Sequence, residues 1–306
     1  MIEVKNISKS FDDIKAVDDL SFSIKNGEVV GLLGPNGAGK TTTMRIMTGF
    51  FHPDAGDVLV NGISIKKDSI GALKLIGYLP ENNPLYKDMI VSDFLKYSAS
   101  LKGIKNTDLK DALDFVVKSA NLSKVFYRPI SELSKGFKQR VGIASALIHK
   151  PEIVIMDEPT EGLDPSQRVE IRDLIKELSI NHTVLISTHV LQEVESMCSR
   201  IVIINKGQKV GDGSISEISK SALNVKTIFF EVEGKKVESQ IKKLNDIREV
   251  KFTKVSDDRY KVELIVDFDS VIQPALFDLA KENNWKVWEL TEKGHNLEEI
   301  FKQLTR

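Results

Sequence analysis

The chain has 306 residues, 41% of them hydrophobic and 28% charged, with a formal net charge of −1. That length allows one large domain and a smaller one with ample core, and the balanced charge leaves no overall basic field to support a nucleic-acid partner. The single cysteine, Cys198, has no intrachain partner for a disulfide, which fits a reducing compartment, and it reads as a packed helix residue. Residues 1–6 lack an apolar signal core, and no run approaches the ~18 apolar residues of a membrane span. The expectation is a cytoplasmic protein; work at a membrane would need spans from another chain.

In chain order, residues 2–8 and 20–25 alternate as antiparallel strands do, and Asn26-Gly27 makes a turn before the apolar run from Glu28 to Leu33, suited to a buried strand. Between the first two strands lies Phe11. An aromatic there can stack on a purine ring, yet taken alone Phe11 reads better as core, and Val17 is similarly ambiguous. Gly34-Pro35-Asn36-Gly37-Ala38-Gly39-Lys40-Thr41 then fits G-x-x-x-x-G-K-[ST], the phosphate-binding pattern. A chance match in a chain this long has odds of about one per cent. Thr42 to Met47 suits a helix, which completes the required order of strand, loop and helix. Glycines 34, 37 and 39 let the backbone curl so that its N–H groups face a polyphosphate, and the helix N-terminus adds its dipole. Lys40 would reach the β- and γ-phosphates, and Thr41 would offer its hydroxyl to Mg²⁺.

Residues 50–56 contain a turn and residues 57–62 a short strand, so a β side layer flanks the α/β core. A polar, turn-rich stretch runs from Glu81 to Asp88. From Val91 to about Leu122 apolar residues recur at helical spacing, an inserted helical region whose charges form a solvated face. Ser134 is placed to cap the next helix; with Gly136 and that helix's free N–H groups it also makes an anion site, and spacing does not choose between the two. The buried-strand run from Pro151 to Met156 ends in Asp157-Glu158. A carboxylate there has a standard task in holding Mg²⁺, and the adjacent one can face an attacking water as general base. Thr183 to Ser187 is a second such strand, expected beside the phosphate-loop strand, which would bring His189 near the γ-phosphate. Residues 201–210 read as a hairpin and 211–219 as an exit loop.

Residues 217–224 form the expected boundary. Beyond it the pattern is strand (226–232), helix (236–244), strands (250–255 and 260–266), helix (271–282) and strand (286–290), the βαββαβ order of a ferredoxin-like domain, with a closing helix from Asn296 to Leu304. Trp285 and Trp288 read as packing residues. There is no internal repeat and no low-complexity tract.

With these pieces in order, residues 1–218 resemble the ATP-binding subunits of ABC transporters. The likeness rests on the phosphate loop at 34–42, Leu133 to Arg140 at the place of the signature, Asp157-Glu158, Gly162-Leu163-Asp164 and His189, all in family order. It implies a P-loop α/β domain with an antiparallel side layer and a helical subdomain at about 82–149, plus an α+β accessory domain at 225–306. It assigns Phe11 to adenine stacking, and Val17, residues 34–42, Glu81, Ser134, Gly136 and Asp164 to the nucleotide. Thr41, Asp157 and Glu81 would hold Mg²⁺, and Glu158, His189 and Lys40 would carry ATP hydrolysis. In the family two such domains pair head to tail, so that Ser134 and Gly136 act on the partner's ATP, and a separate membrane permease is driven from the inner face of the membrane. Two departures stand out: Glu81 replaces the usual glutamine, and Lys135 and Phe137 replace a small residue and glutamine in the signature. These, with Tyr78 to Tyr86 and the C-terminal end, resemble the branch that includes gliding-motility, drug-resistance and sodium-efflux exporters. A soluble relative acting on ribosomes or DNA is the rival; such relatives usually carry two cassettes or a long coiled coil, absent here. A GTPase is disfavoured because Asn205-Lys206-Gly207-Gln208 has Gln208 where N-K-x-D needs aspartate. A module that merely holds ATP is disfavoured by Glu158 and His189 together.

Overall fold

The computed structural model describes residues 1–223, 225–293 and 297–305. Met1–Asp212 and Gly213–Leu304 form two compact units.

In the first unit, β1 (Ile2–Phe11), β2 (Ile14–Ile24), β4 (Ala55–Val60) and β5 (Ile63–Ser64) make an antiparallel sheet in the order β2-β1-β4-β5. The second sheet runs β10 (Gln208–Gly213), β9 (Arg200–Asn205), β3 (Val29–Leu33), β8 (Thr183–Thr188), β7 (Ile153–Asp157) and β6 (Ile76–Leu79), parallel from β9 to β6. Its strands read as unbroken apolar runs because both faces are covered. On one face, Val154, Met156, Val184 and Ile186 pack into a core with α3 (Val91–Leu101), α4 (Asn106–Ser119), α5 (Lys135–Leu147) and α6 (Pro165–Ser179). On the other, Ile153, Ile155 and Leu185 pack with α1 (Lys40–Met47) and with Ile2, Val4 and Ile7 of the antiparallel sheet. The helical region expected from Val91 to about Leu122 is two helices, parted at Gly103, whose φ of 73° ends the first. The remaining helices of this unit are α2 (Ser69–Leu73) and α7 (Leu191–Met197).

Register decides what this sheet can do. Leu33 lies opposite Thr188, and Asp157 opposite Ser187, so β3, β8 and β7 end on one edge. The phosphate loop, His189 and the Asp157-Glu158 pair therefore leave the sheet together, at the carboxyl ends of parallel strands where open α/β sheets bind ligands.

The second unit opens with α8 (Ile215–Leu223), where the sequence reading has an exit loop and a boundary. Then follow β11 (Val225–Glu233), α9 (Val237–Ile241), β12 (Ile247–Lys254), β13 (Arg259–Asp267), α10 (Gln273–Glu282) and β14 (Lys286–Lys293). The sheet is antiparallel in the order β12-β13-β11-β14, so each strand-helix-strand unit is split around a third strand, the ferredoxin-like arrangement. α11 (Leu297–Leu304) packs against α8; Asn296, expected to open α11, lies outside the described residues. Trp285 is buried, its indole N–H donating to the Lys235 carbonyl at 3.0 Å. Trp288 is not a core residue. It is 56% exposed, stacked under the Arg259 guanidinium at 3.9 Å and bonded to Glu233.

Candidate functional site

The loop after β3 needs its glycines for stated reasons. Gly37 and Gly39 take φ of 79° and 103°, and a Cβ at Gly39 would stand 2.4 Å from the Ala16 carbonyl oxygen. The loop is fixed from the far side too, since the Gly207 N–H donates to the Ala38 carbonyl at 3.0 Å. Lys40 opens α1 and is 7% exposed; its Nζ donates to the carbonyls of Gly34 at 2.8 Å and Pro35 at 3.3 Å. Around this loop lies a cleft of about 600 Å³, lined by Ile14, Lys15 and Ala16, by every residue from Asn36 to Thr42, and by Glu81, Glu158, Glu161 and His189. Backbone N–H groups, a helix N-terminus and a cation converge there, which suits a polyphosphate.

Facing the loop are the acids at the end of β7. Asp157 is fully buried; its Oδ1 accepts from the Ser187 hydroxyl at 2.5 Å, while Oδ2 is buried without a protein partner. An orphaned carboxylate oxygen of this kind fits a cation, and Thr41 and Glu81 on the cleft wall are oxygen donors of the type a hard metal takes. Glu158 leaves the strand at a φ of 48°, a left-handed backbone rare outside glycine and frequent at functional sites. That turn throws its side chain back across the cleft. Oε1 lies 3.7 Å from Lys40 Nζ and Oε2 lies 3.0 Å from His189 Nδ1. His189 Nε2 is in turn 3.7 Å from the Glu161 carboxylate. Burial and the Asp157 charge together push the Tyr78 hydroxyl, beside this group, up to about 12.

The structure thus brings Asn36 to Thr42, Glu81, Glu158 and His189 to one cleft. Asp157, fully buried, precedes Glu158 at the end of β7 and does not line the cleft, while Gly34 and Pro35 contribute carbonyls that seat Lys40. Phe11 is outside the lining: it is 39% exposed, edge-on to Phe51 at 5.3 Å and under the Lys9 ammonium, so it is not a core residue either. Val17 is fully buried among the apolar residues of the antiparallel sheet, and the wall at that point is Ala16. Ser134, Gly136 and Asp164 are also away from the cleft. Ser134 caps α5, accepting from the Phe137 N–H at 3.3 Å, and Gly136 lets α5 approach Gln167 of α6. Asp164 caps α6, and the Gln167 N–H and Ser166 hydroxyl hold its carboxyl below the usual range.

Two parts of the site escaped the sequence reading. Ser187 binds Asp157 and also accepts from the Glu158 N–H at 3.0 Å, so one hydroxyl aligns both acids. Glu193, 2% exposed, accepts from Thr160 at 2.7 Å and Thr188 at 3.1 Å, tying the loop after β7 to the end of β8. The signal for Ser187 was a hydroxyl directly after the apolar run Val184 to Ile186, at the end of a buried strand; Glu193 gives none, because a glutamate in a helix reads as surface.

Comparison with known proteins identifies the family of the chain. The ABC transporter family model matches residues 17–161. The uncharacterized ABC transporter ATP-binding protein YhcH of Bacillus subtilis is 36% identical over 313 residues, spanning 100% of this chain and 96% of that protein. The Nod factor export ATP-binding protein I of Burkholderia thailandensis is 33% identical over 228 residues, 74% of this chain and 75% of that protein. Among solved structures, the dimeric MJ0796, a bacterial ABC transporter cassette, superposes with a TM-score of 0.63 at 26% identity, covering 70% of this chain and 98% of that one.

Proposed function

Since the chain belongs to the ATP-binding proteins of ABC transporters, we propose that two copies close around two ATP molecules and drive a separate membrane permease, with transport running outward. The chain is the ATP-binding and hydrolysing part of such a transporter. The finer reading rests on one observation above the others: Lys40, Glu158 and His189 form an unbroken line of contacts across the cleft. Glu158 there polarises a water for in-line attack on the γ-phosphate, Lys40 stabilises the charge that develops, and His189 holds the carboxylate in place. Thr41, Asp157 and Glu81 would hold Mg²⁺, which when bound spreads the charge of the phosphates.

Pairing is supported by the residues the cleft leaves out. Ser134 and Asp164 sit exposed at the starts of α5 and α6, where free N–H groups can meet another molecule's phosphate. The dimeric MJ0796 cassette supports the same arrangement, and the Nod factor export protein supports the outward direction. No helix among the described residues is long and apolar enough to cross a membrane, so the permease would supply the spans and this chain would sit at the inner face. The test is Glu158→Gln, which keeps size and loses the base. Turnover should fall by roughly 10²–10⁴-fold with ATP still bound; undiminished turnover would remove Glu158 from the chemistry.

A further inference from the structure

His189 faces a carboxylate at each of its ring nitrogens: Nδ1 meets Glu158 Oε2 at 3.0 Å, and Nε2 meets Glu161 Oε2 at 3.7 Å. The hydrolysis proposed above uses the first contact only. The Glu161 side chain is 51% exposed, and an ion pair this open to water contributes little to folding. The placement of the pair is nevertheless built into the fold. The Glu161 N–H donates to the Glu158 carbonyl at 3.1 Å, closing a turn that returns the chain after β7 to the cleft, where Glu158, Glu161 and His189 share the wall. The residues just before the two partners are tied to each other as well. Thr160 and Thr188 both donate to Oε2 of the buried Glu193, at 2.7 and 3.1 Å, and Thr188 Oγ1 accepts from the Val190 N–H at 3.0 Å. One carboxylate oxygen therefore holds the backbones that carry Glu161 and His189 side by side, so their contact does not depend on two exposed side chains finding each other.

We infer that Glu161 is a positioning residue for hydrolysis, holding the His189 imidazole at Nε2 while Nδ1 holds Glu158. A ring held at one nitrogen pivots about that contact, whereas a ring held at both keeps its orientation. The order Glu161, His189, Glu158 is then a base aligned by a second group that is itself aligned by a third. The inference rests on the reading above in which Glu158 polarises the water and His189 holds it in place. A small misalignment of such a base is costly in rate even where it costs nothing in stability, so Glu161 acts on kcat and leaves folding alone.

The test is ATP turnover with Mg²⁺, and melting, of the full chain as wild type, Glu161→Ala, Glu161→Gln, His189→Ala and the double variant of Glu161→Ala with His189→Ala. Glu161→Ala should lose on the order of tenfold in kcat, with KM for ATP no higher and the melting temperature unchanged. Glu161→Gln keeps an acceptor oxygen at the same reach and should recover most of that loss. In the His189→Ala background the alanine at 161 should cost nothing further, because the ring it would have released is gone. Undiminished kcat in Glu161→Ala, or an equal loss with and without His189, overturns the inference and leaves Glu158 and His189 in their roles. Glu161→Gln as slow as Glu161→Ala overturns it too. If His189→Ala itself turns over like wild type, the role given to His189 falls and takes the inference with it.

Discussion

At the scale of single residues, the two acids at the end of β7 owe their different placements to one hydroxyl. Ser187 donates to Asp157 and accepts from the Glu158 N–H, so it fixes the depth of the first carboxylate and the backbone turn that swings the second across the cleft. Partners that orient a metal-holding carboxylate are typically worth about 10–100-fold in metal affinity or activity. Ser187→Ala is therefore expected to lower turnover by roughly that factor, with much of the loss recovered at high Mg²⁺. Turnover equal to wild type at low Mg²⁺ would show that Asp157 and Glu158 orient themselves without it. The position of the cleft was legible in the chain because Gly37, Gly39 and Lys40 fit the phosphate-binding pattern, and that of Asp157 because it ends a run of buried apolar residues. Contacts such as that of Glu158 with Lys40 were not legible, since they depend on a φ of 48° that the residue type does not announce.

At the scale of elements, many of the strands followed the periodicity, but the helices at Ser69–Leu73, Pro165–Ser179 and Leu191–Met197 went unread, and the miss at α8 was chemical. α8 begins with a reciprocal cap in which the Ser214 N–H donates to Glu217 at 2.7 Å and the Glu217 N–H donates back to the Ser214 hydroxyl at 3.3 Å. Ser214-Ile215-Ser216-Glu217 is a capping-box sequence, and reading the stretch as an exit loop overlooked it. Packing of α5 against β6 carries a second element-level consequence. His149, just past α5, has its Nε2 at 3.0 Å from the Ile76 carbonyl, and burial, with the Lys102 charge, pushes its pKa down to about 4 from the ordinary 6.5. A depressed base means that the unfolded chain takes up the proton first. Stability is then fully present above about 6.5 and is lost as pH falls toward 4, by on the order of 1 kcal/mol once solvent screening is allowed for. Urea midpoints at pH 7.5 and 5 should therefore separate more for wild type than for His149→Gln, which keeps a donor for Ile76 without titrating. Equal separations would mean that His149 is protonated in the folded state.

At the scale of the whole molecule, the division between the two units bears on what each can do alone. Every residue lining the nucleotide cleft lies between Ile14 and His189, inside the first unit. The second unit has its own core, in which Phe230, Leu264 and Leu276 are buried between the sheet and α9 and α10. A fragment of residues 1–213, cut so that β10 is kept whole, should therefore fold and bind ATP with the affinity of the full chain. Isothermal titration on both proteins decides this. A large loss of affinity in a fragment that melts cooperatively would mean that the second unit shapes the cleft. With affinity retained, sizing in the presence of ATP and Glu158→Gln, to prevent turnover, asks the next question. If the fragment still pairs, the first unit carries the interface by itself, which keeps the exposed Ser134 and Asp164 at the starts of α5 and α6 as its candidates; if only the full chain pairs, the accessory unit is needed for pairing.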